Sequence, residues 1–231
     1  MSAHHIDGDE RLTKTLTEQL KLSLLQIARQ AELDPKTNNA LDIAHMAQMS
    51  LRLIDSYILS TDVHMQHSLI LEPISIKSVL YDTANDVTSY ARMYGCEVET
   101  QLDGKFMPVM GNSTLLRAAF TSLASALIEA QSPSDERGSK VTIATHKHGG
   151  TIVAGVFVNQ SGLTTDMFRR ARALYGSARQ PMVNSLPSAA AGVFVADSLF
   201  SSIASPLKVA KHNKLNGLAT VLLPSRQLHL I

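Results

Sequence analysis

The chain has 231 residues, 45% hydrophobic and 18% charged, a balance that excludes a disordered or fibrous protein. A formal net charge of +1 provides no general attraction to nucleic acid or to an anionic membrane surface. The single cysteine, Cys96, excludes an internal disulfide framework and a thiol-rich zinc site, and the lack of tryptophan argues against stacking platforms for single-stranded nucleic acid. No run reaches the roughly 20 apolar residues of a membrane span. Residues 1–12, MSAHHIDGDERL, lack the apolar core of a secretory signal, so a cytoplasmic protein is expected.

The elements follow in chain order. From about Asp9 to Leu33, Leu12, Leu16, Leu20, Leu24, Ile27 and Ala31 recur every three or four residues and predict a long helix. Asp34–Asn39 reads as a turn, because Pro35 stops a helix and the asparagines tolerate turn geometry. A second helix is expected over about Ala40–Thr61, with Ile43, Met46, Leu53, Ile54, Tyr57 and Ile58 on its apolar stripe. Two such helices make an antiparallel hairpin that cannot bury its stripe alone, so a homodimer forming a four-helix bundle is expected. Asp62–Pro73 reads as a linker.

Beyond it the pattern becomes mixed. A helix is expected within Ile74–Met93, strands over Cys96–Leu102 and Phe106–Met110, and an amphipathic helix over Gly111–Gln131, entered through Asn112, Ser113 or Thr114 as cap. Lys140–Thr145 and Thr151–Val158 predict adjacent strands joined by a His-Gly-Gly turn. A short helix over Asp166–Tyr175, a long loop over Gly176–Ser188, a helix over Ala189–Ile203, and strands over Pro206–Ala210 and Leu218–Leu223 complete the chain. The fold class expected is α+β, with one sheet and its helices on a single face. The division is a helical hairpin over 1–66 and an α/β sandwich over 67–231.

Read in this order, several segments carry a common resemblance. MSLRLIDSYILS (49–60), LEPISIKSVLYDTANDVTSYARMYGCEVETQL (71–102) and FMPVMGNSTLLRAAFTSLASALIEAQ (106–131) are three of them. VFVNQSGLTTDMFRRARALYGS (156–177), PSAAAGVFVADSLFSSIASPLKV (187–209) and GLATVLLP (217–224) complete the set. Together they resemble the catalytic core of two-component histidine kinases: a dimerisation and phosphotransfer hairpin followed by an ATP-binding domain. The layout is also similar to that of histidine phosphotransferases derived from such kinases. The resemblance implies a signalling protein of a phosphorelay, with a response-regulator receiver domain or a true kinase as partner.

The same resemblance points to lost chemistry. Where the family places an asparagine that helps hold Mg²⁺ on ATP, this chain has Ala126, and an alanine offers no oxygen to a hard cation. Ser122 replaces an earlier asparagine, and Glu129 stands where a basic residue is common. Asn159 occupies the position of an adenine-binding aspartate, followed by Gly162 as the remnant of a first glycine box. The second box reads Ser188-Ala189-Ala190-Ala191-Gly192, whose methyl groups would crowd a phosphate. In the hairpin, the phosphoacceptor histidine is matched by Thr17, and no histidine lies between Arg11 and Ala44. No cofactor is therefore expected, and ATP with Mg²⁺ only where the altered site still binds them. The expected function is that of a pseudokinase acting through binding, with Thr17, Gln19, Leu20 and Lys21 on the docking face. The alternatives are an ATP-independent phosphotransferase relaying through His45, and a divergent kinase that still uses ATP.

Each candidate has a plainer reading. His45 also suits a solvated helix face, and His4 and His5 a frayed terminus. His64 and His67 have the spacing of a metal pair without a third ligand nearby. His146 and His148 flank Lys147 at a hairpin tip and are expected at the surface, as are Asp166 and Asp197 on their helices. Gly192 fits either a phosphate approach or a close helix contact. Arg169, Arg170, Arg172 and Arg179 suit a phosphate, an acidic partner surface or a solvated helix face.

Overall fold

The computed structural model describes residues 20, 22, 27, 39–65, 69–131, 139–159 and 187–225, with side chains except at 39–42, 44–45, 61–65 and 187–190. Leu20, Leu22 and Ile27 are helical, and helix α1 (Asn39–Met65) follows. The expected boundary at 66–67 lies outside the described residues, as do the expected short helix at 166–175 and most of the loop after it.

Residues 62–73 differ from the linker expected of them. α1 continues to Met65, and Glu72–Ile74 form a short strand, β1. Three residues are too few to show alternation, and Pro73 reads as a breaker. Helix α2 (Ile76–Met93) starts at Ser75, whose hydroxyl accepts from the Ser78 amide at 3.4 Å. Strands β2 (Cys96–Gln101) and β3 (Val109–Gly111) come next, and β3 pairs antiparallel with β1. Helix α3 (Ser113–Glu129) precedes the hairpin β4 (Ser139–His148) and β5 (Thr151–Val158). Helix α4 (Pro187–Ser202) and the hairpin β6 (Lys208–His212) and β7 (Leu215–Leu222) close the chain. α4 begins two residues earlier than expected, at a proline whose fixed φ and missing N–H suit a first turn.

The main sheet runs β2-β4-β5-β7-β6, with β2 and β4 parallel and the remaining pairs antiparallel. One face is apolar: Val141, Ile143, Ile152, Ala154, Val156 and Leu218 enter a single core with α2, α3 and α4. This is the α+β arrangement expected from the element order. Asp197 departs from its expected surface position: it is buried in α4 and accepts from the Leu207 amide at 2.9 Å. A buried carboxylate needs such a donor, and this one ties α4 to the chain that leads into β6.

On the other face Ala144, Phe157 and Ala219 are buried, with no helix layer over them among the described residues. Gly217 faces Phe157, and a Cβ at Gly217 would lie 2.6 Å from the Phe157 ring. Small residues at this point let the sheet coil strongly, in the sense that right-handed strand twist favours. The edge strands therefore meet at one end: Gln101 of β2 lies 2.9 Å from His212 Nε2 of β6 and accepts from the Asn213 amide at 3.0 Å. The β6–β7 turn, Asn213 and Lys214, has φ of 45° and 70°, the geometry a two-residue hairpin demands. Without the usual Asn-Gly signature this turn is hard to read, which is why both strands extend further towards it than expected. His146 is accordingly no surface residue. It is half-buried, with its ring stacked on His212 at 5.5 Å.

Candidate functional site

α3 supplies the frame of the site. Asn112 caps it by accepting from the Leu115 amide at 3.0 Å. Its apolar stripe, including Leu116, Phe120, Leu123 and Leu127, is fully buried, and Phe120 meets Phe200 of α4 edge to face at 4.8 Å. Ser122, Ala126 and Glu129 recur at helical spacing, so they share a neighbouring face. Ala126 and Ser122 are only 2% and 4% exposed.

What buries them is α4. A Cβ built on Gly192 would lie 2.9 Å from the Ala126 Cβ and 2.9 Å from the Ser122 carbonyl oxygen. The two helix backbones thus approach as closely as small residues permit. Gly192, left open between phosphate approach and helix contact, makes the helix contact. Where α4 does not seal the face, α1 and Leu20 do. Met49 and Leu53 of α1, with Leu20, line a residual cavity of about 30 Å³ together with Tyr90, Glu129 and Gly192. That volume suits a water, whereas pockets for small molecules run from roughly 300 Å³ upward.

The polar groups at this position have partners. The Tyr90 hydroxyl donates to Glu129 Oε1 at 2.5 Å and lies 3.2 Å from the Tyr94 hydroxyl. Burial first, and then the Glu129 charge, push the Tyr90 hydroxyl far above its ordinary value, and the same two causes raise Tyr94. Both phenols therefore remain neutral donors. A second clamp fixes α1 to the rest of the molecule. Asp86 of α2 receives two hydrogen bonds from Arg117 of α3, at 2.7 and 2.8 Å, and pairs with Arg52 of α1 at 3.0 Å. Burial works to raise the Asp86 pKa, but the hydrogen bonds of Arg117 and the charge of Arg52 outweigh it and hold the carboxyl below its ordinary value.

Of the residues expected from the sequence, Ser122, Ala126, Glu129 and Gly192 are brought together around this small cavity. Asn159 is exposed at the end of β5 and does not line it. His45 is part of α1, its side chain outside the described residues; Thr17 and Gly162 are outside them altogether. Among the described residues no group of three histidine, cysteine or acidic side chains could hold a metal. An ATP–Mg²⁺ complex fits this arrangement poorly, since the ligand position is a methyl group pressed against a helix and Glu129 is engaged by Tyr90. Tyr90, Arg52, Asp86 and Arg117 were not singled out from sequence. Tyr90 reads as one more apolar-stripe residue, although a buried tyrosine hydroxyl requires a partner.

Solved structures share this architecture. The chain is similar to the cytoplasmic segment of histidine kinase QseC, with a TM-score of 0.51 at 10% identity over 78% of this chain and 93% of that one. It is similar to full-length ShkA, solved in complex with AMPPNP, with a TM-score of 0.54 at 14% identity over 94% of this chain and 45% of that one. Histidine kinase AdeS of Acinetobacter baumannii gives 0.51 at 11% identity over 90% and 97%. No protein-family model matches the sequence, and no curated protein matches it either. The likeness shows the fold, which is that of the histidine-kinase structures named above, with a sandwich like their ATPase domains.

Proposed function

We propose that this protein is a two-component signalling protein that keeps the kinase fold, has given up nucleotide chemistry, and acts by binding a receiver domain or a true kinase. The observation that carries the reading is the seating of Gly192 on Ser122 and Ala126. Ala126 removes a ligand atom where the family pattern has an asparagine, and its small side chain permits the close approach of Gly192. The small cavity left beside Gly192, with Met49 and Leu53 of α1 in its walls, supports the reading. The Arg52–Asp86–Arg117 clamp further supports a fixed hairpin, where a kinase that phosphorylates its own hairpin needs one that moves relative to the ATP domain.

The working unit is a homodimer, supported by the outward residues of α1. Leu51 and Ile58 are 59% and 50% exposed, one heptad apart, with half-buried Ile54 between them. Docking uses the hairpin flank near Thr17, Gln19 and Lys21, while Leu20 lines the cavity beside Gly192. The test incubates the whole chain with phosphorylated receiver domains from its own genome and reads both complex formation and label. The expected result is a micromolar complex with at least one receiver and no acid-labile label on this chain. Label that disappears in His45→Ala replaces this reading with a phosphotransferase relay. Failure to bind any receiver or kinase of that genome removes the binding function.

A further inference from the structure

Where the two edges of the coiled sheet meet, the contact between Gln101, His212 and Asn213 leaves a mouth on the side away from the helices. A cavity of about 330 Å³ opens there, within the range of small-ligand pockets. Its walls come from separate parts of the chain: Lys105 and Phe106 from the loop after β2, His146 and Lys147 from β4, His212 and Asn213 from the β6 turn. Asp103 is the one acidic side chain among the lining residues, against two lysines and two imidazoles. In a chain of net charge +1 this is a local concentration of positive and proton-donating groups.

Two contacts hold one wall of the mouth in place. The His146–His212 stack at 5.5 Å and the His212–Gln101 contact fix the imidazole that borders the cavity.

We propose that this mouth binds a small phosphomonoester. Lys105 and Lys147 supply the counter-charge, the His146 imidazole donates to a phosphate oxygen from Nε2, the ring nitrogen that is not buried, and Phe106 walls the organic part. A phosphate ester is favoured because it accepts several hydrogen bonds and carries close to two negative charges at neutral pH. A metal is disfavoured, since two lysines oppose a cation and no third histidine, cysteine or acid joins the imidazoles among the described residues. Such a site would supply a small-molecule input to a signalling protein whose nucleotide site is packed shut. It lies across the sheet from Gly192, so this proposal and the loss of nucleotide chemistry can fail separately.

The experiment titrates the full chain with phenyl phosphate, by calorimetry and by the imidazole proton resonances. A submillimolar dissociation constant is expected, with the His146 resonances shifting and inorganic phosphate binding more weakly for want of the Phe106 contact. The double variant Lys105→Glu/Lys147→Glu, both exposed positions, should keep its circular dichroism and weaken binding at least about tenfold by losing two charge-assisted contacts. Three results overturn the proposal. These are no heat at millimolar phenyl phosphate, equal affinity in the double variant, and zinc shifting both histidines while phenyl phosphate does not.

Discussion

At the scale of single residues, Gly192 and Ala126 set the terms. A side chain at Gly192 has no room, because its first carbon already meets Ala126 and Ser122 at 2.9 Å. Gly192→Val is therefore expected to destabilise the protein by about 1–3 kcal/mol, the usual cost of overpacking a tight core. Thermal unfolding measures it, and an unchanged midpoint would show that α4 does not seat as described. Ala126→Asn restores the family's side chain in a place that is 2% exposed. It is expected to lower stability by about 1–3 kcal/mol through an unsatisfied buried amide, and to confer no ATP binding. The departures from the motif were legible from sequence because these residues stand inside segments that resemble it. The packing of Ala126 was not, since its partner lies 66 positions away at Gly192, and no periodicity reports a contact at such a separation.

Elements show the same division. Amphipathic helices such as α2 and α3 stand out because a long 3.6-residue pattern repeats, and their caps are conventional. β1 was hidden by its length, and the β6–β7 turn by the lack of glycine at Asn213 and Lys214. The Arg52–Asp86–Arg117 clamp links three elements through charges that look like ordinary surface residues in sequence. Asp86→Ala should cost about 1–3 kcal/mol, the range for hydrogen bonds between charged groups, and should speed amide exchange in α1 before the sheet responds. Since the folded Asp86 pKa lies below the ordinary 3.8, its contribution is complete above that value and is lost as the pH falls through the folded pKa. At the other end of the sheet, burial and then the His146 charge hold His212 below its ordinary 6.5. The unfolded chain then takes up the proton first, so stability through His212 falls as the pH drops below 6.5. Denaturant titrations at pH 7.5 and 5 should show that loss, and His212→Gln should reduce it; an equal loss in the variant would remove the histidine from the account.

For the whole molecule, helices and sheet form one core, and the hairpin helix α1 is packed onto the same helices that would face a nucleotide. Among the described residues no helix is long and apolar enough to cross a membrane. The outward stripe of α1 gives an expectation for assembly: sedimentation should show a dimer, and Leu51→Asp/Ile58→Asp a folded monomer, because the charges would be buried unpaired. A wild-type monomer at micromolar concentration would contradict the bundle. On the proposed reading the nucleotide site has become a helix–helix contact. Calorimetric titration of the full chain with ATP and Mg²⁺ should then give no binding heat up to millimolar ATP, whereas a micromolar dissociation constant that depends on Mg²⁺ would mean that a working nucleotide site is present.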